Sequence, residues 1–386
     1  MNLDFYSLWP FFACLVLLYG LASLPILSAA DSPPSPRGNR LVAMDGLRGF
    51  LAFAVVFHHV AVYHHFLQTG EWVMPPSHVF AMLGPFGVSV FFLITSYLFW
   101  SRILREKGKT KWRSLYIGRI FRIGPLYLFA VAWMIFLVLH HDGFVLRQPL
   151  YKVVAEILAW SSLGLTYGPN INHSPESWTW LAGVTWSIQW EWFFYLSLPL
   201  LAIAARFRHL LLLACTLSAV LLAEILVPAL PFPGQLILVS LFLAGMLCAS
   251  LVQQGFHLRI PDWQSSTLVL VMLLLVFRFK TVYSPGPVVL LSVSFYLITQ
   301  GCSLFRLLVS RPALRMGDVS YGIYLLQGLI LAAVLRPAPI KNFALASPLH
   351  FWLCGFASAA LLLLVSILAH VWIERPGIAL GRRLMT

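Results

Sequence analysis

Few ionisable residues interrupt the apolar runs of this chain, and their spacing suits proton transfer. The segment MDGLRGFLAFAVVFHHV sets Asp45, Arg48 and His59 in one such run. His59 follows Arg48 by eleven positions, about three whole turns at 100° per residue, so both project from one helix face. Asp45 comes three residues before Arg48 and can pair with it on nearly the same face. The rise from Arg48 to His59 is roughly 16 Å. A second run, GVTWSIQWEWFFYLSLPL, holds Glu191 as its one deep acid, with Ser187 and Tyr195 one turn to either side on the same face. A carboxylate beside an imidazole fixes its tautomer and raises its basicity. The blander alternative is that Arg48 snorkels to the surface while His59 and Glu191 serve as hydrogen-bonding glue between helices.

A third group is YIGRIFRIGPLYLF, where Arg119 and Arg122 sit nearly one turn apart. Such a pair can grip a phosphate or pyrophosphate, or can simply mark the inner membrane surface. The basic stretch from Arg102 to Arg113 reads mainly as topology and lipid contact. Further along, GDVSYGIYLLQ offers Ser320, Tyr321, Tyr324 and Gln327. Trp178 and Trp180 suit sugar stacking or an interfacial belt, and the belt is the simpler reading.

These groups must be positioned by helices in lipid. The 386 residues are 60% hydrophobic and 10% charged, against about 25% charged in soluble domains. The apolar runs are continuous, which selects helices over a barrel. The sequence predicts eleven spans: roughly 6–28, 44–66, 79–100, 120–140, 183–204, 209–229, 235–253, 266–279, 286–305, 319–336 and 350–371. The stretch 151–167 carries Glu156 and is expected to lie on the membrane or dip into it. With the N-terminus outside, 20 of the 26 basic residues fall on the inner side, among them Arg37, Arg40, Arg206 and Arg208. That asymmetry predicts an N-outside, C-inside protein of a cell (inner) membrane. It also accounts for the net charge of +13 without nucleic acid. Ser-Ala-Ala precedes Asp31, but the segment before the first run has Asp4 and no Lys or Arg, so that run is expected to stay as a helix rather than leave as a signal peptide. The five cysteines lie in apolar runs without CxxC spacing and read as small core residues, neither disulfides nor metal ligands. No GxxxxGK[ST], HExxH or GxSxG occurs, so no P-loop, zinc site or nucleophile elbow is expected.

Together these segments resemble the family-3 membrane acyltransferases, integral-membrane O-acyltransferases of bacterial surface glycans with relatives acting on other acceptors. DGLRG followed by His59 resembles the family's hallmark. FFLITSYLF (91–99), the Arg119/Arg122/Pro125 pattern, WSIQWEWFFYL, SYGIYLLQ and IERP (373–376) follow in the family's order. Thr95 stands where the family has Ser, Ser96 replaces Gly, and Gln327 replaces a common His. The resemblance begins near Leu41. It implies a ten-helix acyltransferase domain over 41–386, preceded by an extra transmembrane helix and Pro-rich linker over 1–40. The hydrolase-like domain fused to some relatives is not expected after IERP.

The resemblance further implies transfer of an acyl group, in the first place acetyl, from cytoplasmic acyl-CoA to a hydroxyl. The acceptor would be an extracytoplasmic glycan, a glycolipid or a secreted small molecule. Arg119 and Arg122 would bind the CoA phosphates, with Arg48 held by Asp45 contributing. His59 would be the general base and Glu191 its orienting partner. Trp186, Ser187, Tyr195, Thr95, Ser96, Ser320 and Tyr324 would line the cavity. Thr95, Ser96 and Ser187 leave a covalent acyl-enzyme open beside direct transfer. Acetyl-CoA would be a substrate, with no permanently bound cofactor. Two alternatives remain: a transporter that moves a glycan, lipid or acyl group without chemistry, and a structural or sensory membrane subunit.

Overall fold

A computed structural model describes residues 5–31, 39–107, 109–166, 168–205, 209–226 and 234–385. Arg37, Arg206 and Arg208, expected at the inner surface, lie outside the described residues, as does most of the linker, 32–38. Every regular element among the described residues is helical. In chain order they are α1 (Leu8–Ser23), α2 (Asn39–Thr69), α3 (His78–Arg105), α4 (Trp112–His141), α5 (Leu150–Trp160), α6 (Thr185–Ala204), α7 (His209–Leu226) and α8 (Gln235–Gln253). There follow α9 (Asp262–Val276), α10 (Pro285–Thr299), α11 (Arg311–Asp318), α12 (Ser320–Leu335), α13 (Ala338–Leu345), α14 (Pro348–Ala369) and α15 (Arg375–Arg383). A π-helical turn, His370–Glu374, joins the last two without a break.

Continuous apolar sequence makes these helices, and lipid explains what they expose. α7 leaves most of its surface uncovered, with Leu211, Leu212, Leu222 and Ile225 all exposed, and Cys215 with them rather than in the core. α4 presents Phe129, Trp133 and Phe136 in the same way. Only a hydrocarbon solvent tolerates so much apolar surface. The protein is therefore an all-helical, multi-pass membrane protein.

Its long spans are fewer than the sequence predicted. Six helices among the described residues are long and apolar enough to cross, and a seventh span arises if α11 and α12, bent by 66° at Val319, count as one. α1, α9 and α10 have 16, 15 and 15 residues, short of the roughly 20 that a bilayer core takes. α6 has 20 residues but is diluted by its Trp, Gln, Glu and Tyr, and is not among the six. Of the stretch 151–167, the residues up to Trp160 belong to the 11-residue α5, too short to cross.

α2 forms the centre of the bundle, with Leu51 to Phe57 and Val60 to Tyr63 buried. The two glycines of DGLRG let α11 and the turn before it come close. A Cβ at Gly46 would strike the Leu308 carbonyl, and one at Gly49 would strike Met316. Across the crossing, a Cβ at Gly317 would land on the Asp45 carbonyl. Gly84 and Gly87 of α3 make the same allowance for His58 and for Val55 with the Leu51 carbonyl. The His58 ring is spent there, its Nδ1 on the Phe80 carbonyl at 2.8 Å.

The N-terminal helix is tied down at both ends. The Trp352 indole donates to the Phe5 carbonyl at 2.9 Å, and the Phe5 ring stacks on His64 at 3.6 Å. At the other end the buried Arg315 donates through Nε and Nη2 to the Asp31 carboxylate, and through Nη1 to the Ala22 and Leu24 carbonyls. The Asp31 carboxyl is held below its usual range, first by the hydrogen bond from Arg315 and then by the charges of Arg315, Arg311 and Arg375.

Candidate active site

Five helices enclose one cavity of about 600 Å³, within the range of small-molecule sites. α2 contributes Asp45 and Arg48 from its first turns, where the glycine crossing holds it. α3 contributes a face running Val88, Phe91, Thr95, Leu98, Arg102 and Arg105. α4 adds Arg119 and Arg122, α6 adds Ser187, Glu191 and Tyr195, and α12 adds Ser320, Tyr321 and Tyr324. Along α3 the lining extends from Val88 to Arg105, roughly 25 Å at 1.5 Å per residue. The wall carries five arginines (Arg48, Arg102, Arg105, Arg119 and Arg122) against three carboxylates (Asp45, Glu106 and Glu191). An anion is therefore the natural guest at the arginine-rich end.

Hydrogen bonds hold this wall in place. Tyr195 donates to Glu191 Oε2 at 2.6 Å, and Thr95 approaches Oε1 at 3.4 Å. The Arg119 guanidinium lies 4.9 Å from the centre of the Phe99 ring. Tyr116 donates to the Tyr195 carbonyl and Tyr321 to the Ile123 carbonyl, which ties α4 to α6 and to α12. Arg102 bonds Glu106 at 2.8 Å at the mouth. At the far end the Ser187 and Tyr324 hydroxyls meet at 2.7 Å, each also within reach of the Val184 carbonyl. They form the ceiling.

His59 lies beyond that ceiling. Gly87 packs on Val55, so Val88 at the apex is level with Val55, one turn short of His59. His59 Nδ1 faces two acceptors at 3.0 Å, the Val55 carbonyl and Gln327 Oε1. The Gln327 amide is oriented by its own Nε2, which donates to the Tyr324 carbonyl at 2.7 Å. Both acceptors demand a proton on Nδ1, so the basic lone pair of the neutral ring is on Nε2. Gln327 is fully buried and links the ceiling residue Tyr324 to the histidine.

The structure thus sorts the residues expected from sequence. Asp45, Arg48, Thr95, Arg119, Arg122, Ser187, Glu191, Tyr195, Ser320 and Tyr324 gather on one cavity wall. Two others do not. Ser96 is fully buried, donates to the Phe92 carbonyl and packs on Gly245 of α8, one residue round the helix from Thr95. Trp186 is likewise one residue from Ser187 and points to the Phe92 ring at 6.3 Å instead. Glu191 is bonded to Tyr195 and Thr95, while the orienting partner of His59 is Gln327. Arg102, Arg105, Glu106 and Tyr321 line the cavity without having been expected there. For the first three the signal was present: 95, 98, 102 and 105–106 follow the period of one helix face.

Residues 41–370 match the acyltransferase 3 family, described as an acyltransferase domain. The chain belongs to that family. A curated relative, Acyltransferase MdmB of Streptomyces mycarofaciens, is 33% identical over 173 residues, which is 43% of this chain and 40% of the relative. The chain thus matches well under half of that relative's length. No solved structure matches. Within the matched residues, the DGLRG segment brings α2 against α11 and sets Asp45 and Arg48 at the cavity, and the segment with Arg119 and Arg122 supplies the facing wall.

Proposed function

We propose that the protein is an integral-membrane O-acyltransferase of a cell (inner) membrane, carrying an acyl group, in the first place acetyl, from cytoplasmic acyl-CoA to an acceptor hydroxyl on the outer side. The observation that carries this reading is the cavity with five arginines against three carboxylates in a member of an acyltransferase family. Phosphates and pyrophosphate suit Arg48, Arg119 and Arg122, and the roughly 25 Å of lining gives room for a long, slender arm toward the ceiling. The start of α12, the positive end of its dipole, adds to this field at Ser320. The loop charge asymmetry supports the sidedness, with the arginine-rich end facing the cytoplasm.

In this mechanism His59 Nε2 takes the proton of the acceptor hydroxyl as its oxygen attacks the thioester carbonyl. The carbon–sulfur bond then breaks, and the proton passes to the departing thiolate. Gln327 holds the ring in the required tautomer. Transfer is direct. In support, among the described residues no hydroxyl is hydrogen-bonded to His59, and Ser96 is turned away. Glu191 balances Arg48 and Arg119 rather than serving as base. The acceptor is a glycan or glycolipid of the cell envelope.

The test is the O-acetyl content of surface glycans in cells carrying wild type, His59→Ala, Glu191→Gln or no copy, with membrane levels checked by immunoblot. His59→Ala should match the deletion, a loss of about 10²–10⁴ in rate for the purified protein. Glu191→Gln should cost about tenfold or less, since it removes a balancing charge and not the base. The reverse order would make Glu191 the base. A second reading draws on one observation: the 66° break between α11 and α12 is the kind of discontinuity that transporters place at a binding site. Release of free CoA by the purified protein separates the two, since a transporter leaves the thioester intact.

A further inference from the structure

His59 is outside the arginine-lined cavity, so an acceptor must reach it from another direction. The surroundings of that ring include aromatic groups. The half-buried Trp72 indole lies over it, 6.4 Å between ring centres and tilted by 31°. Trp178 meets Trp72 edge-on at 5.9 Å. Beside them the Arg336 guanidinium lies over Trp180 at 3.9 Å and near Phe66 at 5.4 Å. Its Nη2 donates to Thr179 Oγ1 at 3.1 Å. It also lies within hydrogen-bonding reach of the fully buried Tyr63, whose phenol oxygen can accept from it. Close to two rings, this guanidinium has five N–H groups, more than those two partners engage.

The backbone is forced into this shape. The turn Ser177–Leu181 that carries Trp178, Thr179 and Trp180 is flanked by Glu176 and Ala182, at φ of 53° and 52°. Left-handed conformations at non-glycine residues are costly and collect at functional sites. The turn is also tied to the histidine. A Cβ at Gly328, the residue after Gln327, would strike the Ala182 amide and the Leu181 backbone. Trp178 and Trp180 therefore face inward on Trp72 and Arg336, not only outward as a lipid belt would.

We propose that Trp72, Trp178 and Arg336 form the acceptor subsite, and that it takes a sugar ring. The apolar C–H face of a pyranose packs against an indole, and its hydroxyls accept from the Arg336 N–H groups that Thr179 and Tyr63 do not engage. A ring so placed over Trp72 presents a further hydroxyl to His59 Nε2. Donor and acceptor then approach one histidine from opposite faces of the membrane. This inference rests on the acyl-transfer reading above and specifies its acceptor.

The test uses the full-length protein in nanodiscs with acetyl-CoA and, in turn, methyl α-D-glucopyranoside, methyl α-D-mannopyranoside and methyl β-D-galactopyranoside. Free CoA and acetylated glycoside are both measured. At least one glycoside should be acetylated. Trp72→Ala should raise its KM about tenfold or more and leave the KM for acetyl-CoA unchanged, and Trp72→Phe should recover part of the loss. Arg336→Gln should raise the same KM, and gives a second variant should Trp72→Ala not fold. Acetylation with KM unmoved in Trp72→Ala, or in Trp72→Phe and Arg336→Gln, overturns the subsite. Release of CoA with no glycoside acetylated overturns the sugar ring as acceptor while sparing the donor reading. No release of CoA at all overturns the acyl-transfer reading itself.

Discussion

Gln327 offers the sharpest handle on the chemistry. It is fully buried and makes two bonds, Oε1 accepting from His59 Nδ1 at 3.0 Å and Nε2 donating to the Tyr324 carbonyl at 2.7 Å. Gln327→Leu keeps the bulk and removes both. His59 Nδ1 retains the Val55 carbonyl, so the ring stays in place but loses the acceptor that faces it from across the helix interface. In the ground state that bond is between neutral groups and contributes about 1 kcal/mol. In the proposed transfer His59 takes the acceptor proton and the ring becomes cationic, and a bond to a charged group contributes about 1.5–3 kcal/mol. The transition state therefore loses about 0.5–2 kcal/mol more than the ground state, and kcat should fall about 2- to 30-fold, at about 1.4 kcal/mol per tenfold. The KM for acetyl-CoA should not move, because the arginines are untouched. Gln327→His keeps an acceptor nitrogen and should recover part of the rate. The assay is release of free CoA by the protein in nanodiscs, with each variant also made in a His59→Ala background. If Gln327 acts through His59, Gln327→Leu costs nothing further there. An equal cost in both backgrounds refutes the reasoning, as does an unchanged kcat in the single variant.

Other parts of the molecule give their own tests. Arg122→Gln removes one guanidinium from the cavity wall and should raise the KM for acetyl-CoA about tenfold with little change in kcat; 3′-dephospho-acetyl-CoA or high salt should narrow the gap if the phosphates are what Arg122 meets. Asp31→Asn loosens the lower tether of α1. Because the Asp31 carboxyl is held below its ordinary value of 3.8, its contribution is complete above that value and is lost as pH falls through the depressed one. Thermal unfolding in nanodiscs should therefore show the variant less stable at pH 7, with the gap closing on acidification; a constant gap would mean that the Arg315 pairing does not stabilise the fold.

The sequence made depth legible but not neighbours. Rise per residue placed His59 about 16 Å along its helix from Arg48, and the family resemblance implied Glu191 as its orienting partner. Height fixes one coordinate of a helix; its rotation and its neighbours are set by packing. The close approaches at Gly46, Gly49, Gly87 and Gly317 turn His59 toward α12, and Gln327, 268 residues away, receives it. Glu191 is left to Tyr195 and Thr95. The arginine wall was more legible, since Asp45, Arg48, Arg119 and Arg122 stand in segments that the family resemblance had already linked. Arg102 and Arg105 were visible on the Thr95 face yet read as topology, because an arginine at a helix end satisfies that reading equally well. Among the described residues, the long helices are fewer than the eleven predicted spans for a related reason. Hydropathy registers apolar length without seeing where a chain turns, and α9 and α10 stop at 15 residues.

The ceiling poses the remaining problem. A thioester held in the cavity faces the Ser187 and Tyr324 hydroxyls, and His59 is one turn behind them. Two hydroxyls share one carbonyl acceptor, so one donates to Val184 and the other to its neighbour. A closed chain of this kind is cheap to open, since each net bond contributes only about 1 kcal/mol. Tyr324 also carries the carbonyl that orients Gln327, so any movement of Tyr324 reaches the histidine. The pair would thus act as a gate, keeping water and acceptor away from the thioester until Tyr324 shifts. Tyr324→Phe combined with Ser187→Ala removes both hydroxyls and leaves the aromatic ring and Gln327 in place. CoA release without acceptor should then rise several-fold relative to acyl transfer. If the pair is merely a packing contact, the ratio of hydrolysis to transfer stays at the wild-type value, and the route from cavity to His59 must bypass Tyr324.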